Sequence, residues 1–308
     1  MPIDPELHTI NSDALSELHQ AWISERLTII VGAGASISSG LPSWDQLLDE
    51  LIVQYVAERF NQPPYVFFAD DIRQHLKQEL KWQSPIVVPH YLKTNLGEET
   101  YFKLVHKALY SKVTNNPEPG LIHQSIGRLG SKLDSIITFN YDDLAERALL
   151  SEGYQSTSVW LASHWSDVQG VPVYHPHGFL PHSLEANQPY WIILGEADYH
   201  TQYSSPYSWN NVAVAQSLLE TTCLIVGSSV SDPNLRRLLD YMYRENSGKN
   251  HYFMWRTSRP STLAGTSGLV HSVYEELFKD SYARIGLKPV WFFEFDEVPS
   301  LIDAVRAI

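Results

Sequence analysis

The 308-residue sequence contains a single cysteine, Cys223, which excludes an intrachain disulfide and a zinc site built from several cysteines. It has no apolar run near the ~18 residues that a bilayer-spanning helix needs, and we expect no signal peptide. Positive charge is scarce: the formal net charge is −13, which argues against a basic nucleic-acid groove and against an anionic membrane surface. Because 44 % of the residues are apolar, we expect a globular protein with a full core. From the charge balance and from the expected lack of a signal peptide and a membrane span, we expect a cytoplasmic protein without direct nucleic-acid binding.

The stretch around which the sequence is organised is LTIIVGAGASISSGLPSW, residues 27–44. Four of its first five residues, Leu27, Ile29, Ile30 and Val31, are apolar, which is typical of a strand buried on both faces of a parallel sheet. Gly32 and Gly34 allow a tight turn and the close approach of a phosphate to backbone amides. A capping box at Ser43 then predicts a helix. Strand, glycine turn and helix form the phosphate-binding unit of a doubly wound fold, although such turns also use glycine for structural reasons alone.

The glycine spacing departs from the ordinary dinucleotide-binding fingerprint. The third glycine position is occupied by Ile37, and the next glycine is Gly40. No predicted second strand ends in an acidic residue about 20 positions further on. A standard NAD dehydrogenase is therefore disfavoured.

Residues 61–120 differ in composition from the rest of the chain. Prolines are scattered there among short helical patterns such as DDIRQHLKQELK and EETYFKLVHKALYSKV. We interpret the segment as a helical insertion or small subdomain covering the site, within a single domain that spans residues 1–308. The alternative interpretation is that it serves only as scaffold.

Polar residues follow a predicted strand at residues 134–140, in the sequence TFNYDD. Strand ends of this kind deliver their residues to the carboxyl edge of a sheet, where ligands bind in doubly wound folds. Asn140 and Asp142 are the candidates. Asp142 or Asp143 could instead cap the helix that follows.

Two further strand ends carry candidate residues. The sequence VPVYHPHG, residues 171–178, runs from a short strand into His175 and His177, which we expect to be poor joint metal ligands. The strand at residues 223–226 runs into a Gly-Ser-Ser turn, whose amides and hydroxyls suit phosphate or ribose oxygens, and Asp232 is interpreted as a helix cap. Other predicted strands are 190–194, 251–255 and 289–295, and other predicted helices are 12–25, 208–220 and one from about residue 268.

Four motifs now stand in order: GAGAS with GLP, TFNYD, HPHG and VGSS. Together they resemble the sirtuin superfamily, and more closely the bacterial sirtuin-like NAD hydrolases of antiphage defence, over roughly residues 27–234. The resemblance implies a Rossmann-like doubly wound parallel sheet without a zinc module, and NAD as substrate with no metal.

The resemblance also implies roles for particular residues. Asn140, His177 and Asp142 would be catalytic, with His177 as the general base and the other two beside the nicotinamide ribose and nicotinamide. The residues that would hold the dinucleotide are Gly32, Ala33, Gly34, Ser36, Gly227, Ser228 and Ser229.

Two departures from classical sirtuin deacylases narrow the expected activity. Deacylases follow the glycine loop with Pro-Asp-Phe-Arg, whereas residues 42–45 here read Pro-Ser-Trp-Asp, so the arginine is absent and another basic residue would have to replace it. Their four-cysteine zinc module is impossible in a chain with one cysteine. We therefore expect an NAD hydrolase that gives nicotinamide and ADP-ribose, linear or cyclic.

Three alternatives remain open at this level. They are a non-catalytic NAD or ADP-ribose sensor, a protein deacylase, and an interaction scaffold using residues 61–120 with Tyr203, Tyr207 and Trp209. The resemblance also implies a homo-oligomer and a partner defence protein such as a HerA-like ring ATPase or an Argonaute-like protein, though no motif names either.

Overall fold

The computed structural model describes residues 3–59, 69–80, 83–186, 188–245, 248–258 and 265–307. Its centre is a seven-stranded parallel sheet in the order β3-β4-β2-β1-β5-β6-β7. The strands are β1 (Leu27–Val31), β2 (Leu133–Thr138), β3 (Ser156–Val159), β4 (Val171–Tyr174), β5 (Thr222–Val226), β6 (His251–Arg256) and β7 (Leu287–Phe292). This arrangement confirms the predicted doubly wound α/β fold.

Helices connect the strands and cover both faces of the sheet. They are α1 (Pro5–Ile10), α2 (Ser12–Ile23), α3 (Trp44–Arg59), α4 (Ala69–Leu80), α5 (Val87–Leu96), α6 (Glu98–Leu109), α7 (Leu121–Leu129), α8 (Leu144–Ser151), α9 (Glu196–Ser204), α10 (Trp209–Glu220), α11 (Pro233–Glu245), α12 (Gly265–Ala283) and α13 (Val298–Ala304). Within the described ranges, none of them combines the length and apolarity that crossing a bilayer requires.

Strand β1 occupies the middle of the sheet, and all five of its residues are buried. It pairs with β2 on one side and with β5 on the other, so Val31 lies opposite both Thr138 and Val226. The chain builds outward from β1 first towards β3 and later towards β7. The carboxyl ends of β1 and β5 therefore form the topological switch point, where doubly wound folds bind ligands.

Successive residues of β1 pack into different cores, because side chains alternate across a strand. Ile29 belongs to a core shared with α1, α2, α7 and α13, whereas Ile30 belongs to a core shared with α10 and α11. A separate apolar cluster joins α3, α5 and α6 to Leu180 and Leu194 near the carboxyl edge of the sheet. The described helices of the 61–120 segment thus pack beside the ligand-binding edge; residues 61–68, 81 and 82 lie outside the described residues.

Most predicted elements are present, with two corrections. The predicted strand at residues 190–194 is wrong: Ile192 makes a single antiparallel bridge to Gly178, and Ile193 N donates to His177 O at 2.8 Å. These residues pack against the loop after β4 and never reach the sheet. Strand β3 was not predicted, because its sequence STSV is short, polar and only partly buried.

Candidate functional site

The glycine loops after β1 and β5 pack directly against each other. Gly32 N donates to Val226 O at 2.9 Å, and Gly34 N donates to Gly227 O at 2.8 Å. A Cβ atom on Gly34 would lie 2.8 Å from Gly227 O, and one on Gly32 would lie 2.7 Å from the Ser228 Cβ atom. Because real Cβ atoms do not approach that closely, these positions need glycine for the contact between the two loops themselves.

The chain leaves Gly32 in a short 3-10 turn, Ala33–Ser39, before α3 begins. This turn buries the Ser36 side chain. The predicted capping box of α3 is confirmed, because Ser43 N donates to Gln46 Oε1 at 3.0 Å and Gln46 N donates to Ser43 Oγ at 3.3 Å.

A buried hydrogen-bonded chain connects Asn140, Ser36 and Asp142. The Asn140 Nδ2 group donates to Ser36 Oγ at 2.9 Å and to Gly32 O at 3.2 Å. Ser36 in turn donates its hydroxyl proton to Asp142 Oδ2 at 2.9 Å, while Asp142 Oδ1 accepts from Leu144 N at 3.1 Å. Asp143 is the N-cap residue of α8, but the side chain that accepts from the first amide of the helix is that of Asp142, which also joins the polar chain.

The carboxyl group of Asp142 is electrostatically unusual. Burial raises its pKa to about 6, despite the opposing hydrogen bonds from Ser36 and from the Leu144 amide. A buried carboxylate is stabilised by a nearby cation. A positively charged ligand group next to the Asp142 carboxylate would therefore be stabilised.

The two histidines after β4 meet different partners. His175 Nε2 contacts Glu146 Oε1, whereas His177 Nε2 lies 3.6 Å from Asp232 Oδ2. Burial lowers the pKa of His177, and Asp232 opposes this effect. Strand β4 ends at Tyr174, before both histidines, and the loop that follows brings His175 and His177 to different partners, so they do not converge on one point.

Asp232 and Tyr199 are site residues that the sequence interpretation missed. Asp232 Oδ1 accepts from Leu235 N at 2.7 Å, which fits the predicted cap of α11, but Oδ2 faces His177 and accepts from the Tyr199 hydroxyl at 2.9 Å. The Tyr199 ring also stands edge-on to the His177 ring, with centroids 5.6 Å apart. No sequence pattern relates these three positions, because they come together only through the order of the strands.

The Gly-Ser-Ser turn after β5 carries an unusual backbone. The Val230 N–H donates to Ser228 Oγ at 3.0 Å, and Val230 itself has a φ of 53°. A buried β-branched residue in the left-handed region is strained, and such strain concentrates at functional sites. Ser229 Oγ lies 2.8 Å from Ser231 Oγ at the same edge of the sheet.

Two further observations concern potential metal ligands and the thiol of Cys223. Within the ranges the structure describes, no group of three or more His, Cys, Asp or Glu side chains could hold a metal ion. Cys223 is buried in β5, as predicted, and burial raises the pKa of its thiol to about 12. The thiol is therefore a poor nucleophile near neutral pH.

Comparisons with known proteins give one family model and several relatives. Residues 134–283 match the family model of the SIR2-like domain, which confirms the predicted resemblance over that part of the chain. The proteins named NAD(+) hydrolase ThsA from Acinetobacter baumannii (strain 532279) and Bacillus cereus (strain MSX-D12) are 23 % and 24 % identical over 90 % and 99 % of this chain.

These alignments cover 52 % and 58 % of the two relatives, so the chain spans about half the length of the curated relatives it matches. A solved structure described as the structural basis of sirtuin substrate affinity is 15 % identical, covers 86 % of this chain and 97 % of its own, and has a TM-score of 0.39.

Proposed function

We propose that this chain, whose residues 134–283 match the SIR2-like domain model, is an NAD⁺ glycohydrolase that cleaves NAD⁺ to nicotinamide and ADP-ribose. The observation that carries the proposal is the buried chain from Asn140 through Ser36 to Asp142, at the point where two glycine loops meet. The relatives named NAD(+) hydrolase support the same activity.

The two loops are the proposed dinucleotide-binding surface. The loop after β1, with Gly32, Ala33, Gly34 and Ser36, would hold the diphosphate and the nearby ribose. The loop after β5, with Gly227, Ser228 and Ser229, would hold the adenosine side. Their direct packing across the switch point supports this division, because one extended ligand can contact both loops there.

The proposed reaction breaks the bond between the nicotinamide nitrogen and C1′ of its ribose. The bonding electrons leave with nicotinamide, which becomes neutral, while positive charge builds on the ribose. A water oxygen then bonds to C1′ and gives its proton to His177, which passes it to solvent. General-base help of this kind typically contributes 10²–10⁴-fold to a rate.

Asn140 and Asp142 take complementary roles in this proposal. The Asn140 amide is neutral and both donates and accepts, so it can orient water or a ribose hydroxyl beside a developing cation. The Asp142 carboxylate, which Ser36 holds by a hydrogen bond, would face the cationic nicotinamide ring of bound NAD⁺. Ser36 thus couples the two side chains.

The biological setting proposed here follows the sirtuin-like resemblance. We propose a single cytoplasmic domain in which residues 61–120 form a helical subdomain beside the site, acting in antiphage defence by depleting NAD. The contact between α5 and α9 supports this arrangement, because the side chain of Lys93 pairs with Asp198 at 3.2 Å. We also propose that the protein forms a homo-oligomer and acts with a partner protein such as a HerA-like ring ATPase.

The test is chromatography of the purified chain incubated with NAD⁺, quantifying nicotinamide and ADP-ribose, with calorimetry of NAD⁺ binding in parallel. We expect Asn140→Ala and His177→Ala to lose turnover with unchanged circular dichroism, and the exposed His75→Ala control to keep it. Full activity in both site variants would contradict the assignments. Binding without nicotinamide release in the wild type would identify a sensor instead.

A further inference from the structure

The His177 side chain is buried, yet its Nε2 atom has no hydrogen-bond partner within the described part of the chain. An unpaired buried polar atom destabilises the folded state, so it calls for a physical explanation. The nearest charged atom that contacts it is Asp232 Oδ2 at 3.6 Å, slightly beyond hydrogen-bond distance. The two side chains are thus adjacent but not hydrogen-bonded.

Among the residues that surround the His177 ring, Asp232 carries the carboxylate that can accept a hydrogen bond from Nε2. Phe139 stands edge-on to the His177 ring from the loop after β2, with centroids 4.7 Å apart. Tyr199 of α9 covers another side, and Asp232 approaches from the loop before α11. Of these neighbours, Asp232 is the charged group and Tyr199 the other titratable one.

Other titratable and charged groups lie around Tyr199 rather than around the His177 ring. Tyr141 and Tyr203 lie near its hydroxyl, and Arg237 stands over the Tyr203 ring at 5.6 Å. Burial and the Asp232 charge both raise the pKa of Tyr199, so its hydroxyl stays protonated and remains a hydrogen-bond donor.

The Asp232 carboxylate is shared among three elements. Its Oδ1 atom caps α11 through Leu235 N, which fixes the carboxylate in place. Its Oδ2 atom accepts the Tyr199 hydroxyl at 2.9 Å and is also the oxygen that faces His177. A hydrogen bond to a carboxylate is normally ~2.7–2.9 Å long, so a ring movement below ~1 Å would close the gap.

We infer that Asp232 is the carboxylate partner of His177 and that the Tyr199 hydroxyl, by occupying the same Oδ2 atom, is a positioning group that weakens His177 as a base. When the Nε2–H group of His177 donates a hydrogen bond to Oδ2, the ring stays neutral and carries its lone pair on Nδ1. That atom can accept a proton, and the carboxylate stabilises the imidazolium that results. A hydroxyl bound to Oδ2 withdraws negative charge from the same oxygen and opposes this stabilisation.

The test measures the proton affinity of His177 directly, without relying on activity. The chain is labelled with isotopes in histidine, and the His177 resonances are assigned by their loss in His177→Gln. Tyr199→Phe removes only the hydroxyl and keeps the ring against His177. We expect it to raise the pKa of His177 by about 0.5–1 unit, a three- to tenfold change in the proton-binding constant.

Two further variants sharpen the measurement. Asp232→Asn keeps an oxygen for the cap of α11 but removes the charge, so we expect it to lower the pKa of His177. The matched control is Tyr207→Phe, at a position that is 92 % exposed, and it should change nothing. An unchanged or lowered His177 pKa in Tyr199→Phe, or an unchanged or raised one in Asp232→Asn, overturns the inference.

Only the catalytic consequence rests on the proposed NAD⁺ hydrolysis. In the pH profile of kcat/KM, we expect the acid limb of Tyr199→Phe to move to higher pH by the same amount as the measured pKa of His177. A merely structural effect would change kcat/KM by the same factor at every pH. An acid limb that stays fixed overturns the assignment. A wild-type chain that does not cleave NAD⁺ refutes the proposed function, and the titration still decides whether the three side chains are coupled.

Discussion

His175 and Glu146 meet in a contact where the histidine is completely buried, with Nε2 of the ring 2.8 Å from Oε1 of the carboxylate. The other ring nitrogen, Nδ1, lies 3.4 Å from the carbonyl oxygen of Asn140. Ser158 adds a third group, because its hydroxyl donates to the same carboxylate oxygen at 2.6 Å. Helix α8 and strand β3 are thereby tied to the backbone of a proposed catalytic residue.

Replacing Glu146 by Gln should destabilise the fold by about 3 kcal/mol near neutral pH, because it removes the negative charge from a buried contact with His175. Burial would raise the pKa of Glu146, but His175 and Ser158 outweigh it and hold the pKa below its usual value. A depressed pKa stabilises the fold above the unfolded-state value, and this stabilisation is lost as pH falls.

The measurement is urea unfolding of wild type and Glu146→Gln between pH 4 and pH 8. The difference in unfolding free energy should be largest near neutral pH and shrink towards pH 4. The exposed Glu58→Gln variant on α3 is the control and should match wild type throughout. A difference that is independent of pH would contradict the ionised state of Glu146.

Binding of NAD⁺ should weaken as pH falls through the pKa of Asp142, which burial raises to about 6. Below this pH the carboxyl is protonated and no longer attracts a cationic nicotinamide ring. NADH, whose nicotinamide ring is neutral, is the matched ligand control. Calorimetry from pH 5 to pH 8 should show NAD⁺ affinity rising with pH and NADH affinity nearly constant; parallel behaviour of the two ligands would remove Asp142 from the nicotinamide site.

The raised pKa of Asp142 also predicts a gain in stability for Asp142→Asn. The folded state prefers the protonated acid, so Asp142 favours folding most below its ordinary value of 3.8 and progressively less as pH rises through about 6. The linked change approaches roughly 3 kcal/mol at neutral pH, since each unit is worth about 1.4 kcal/mol. Chemical unfolding at pH 4.5 and pH 7.5 should therefore show Asp142→Asn gaining on wild type at the higher pH, and an equal offset at both would be inconsistent with a buried carboxylate.

Gly34→Ala should impair NAD⁺ binding more than it impairs folding. The new Cβ atom would lie 2.8 Å from Gly227 O, so one of the two glycine loops has to shift. Overpacking of this kind costs about 1–3 kcal/mol. The control is Gly97→Ala, where φ is +77° but no atom lies within 4 Å, so it strains the backbone away from the site. Thermal unfolding and NAD⁺ calorimetry on both variants should separate the effects, and equal losses of affinity would refute a role for the loop contact in binding.

The sequence predicts the architecture well where local patterns determine it. The apolar run of β1, the capping box at Ser43 and the cap at Asp232 depend on neighbouring residues, and each has the predicted form. The apolar run at residues 190–194 looked equally like a strand, but it packs against the loop after β4. The periodicity of an apolar segment does not by itself show whether the segment pairs in a sheet or packs against a loop.

The candidate site was predictable only in part, for a different reason. Asn140, His177 and the glycine loops stand at strand ends, which the order of elements along the chain already indicates. The pairing of His177 with Asp232 depends instead on β4 and β5 lying on opposite sides of β1. A pattern that explained Asp232 as a helix cap gave no reason to assign its second oxygen another partner.

The position of β1 in the middle of the sheet also determines when the candidate site can form during synthesis of the chain. Its second neighbour, β5, begins about 190 residues later in the chain. At translation rates of about 5–20 residues per second, roughly 10–40 s pass before that neighbour exists. During this interval the two glycine loops cannot meet, and the β5 side of the central strand has no partner. A nascent chain therefore lacks the proposed NAD⁺ site until β5 has been made, and the unpaired edge of β1 can pair with other chains during that interval.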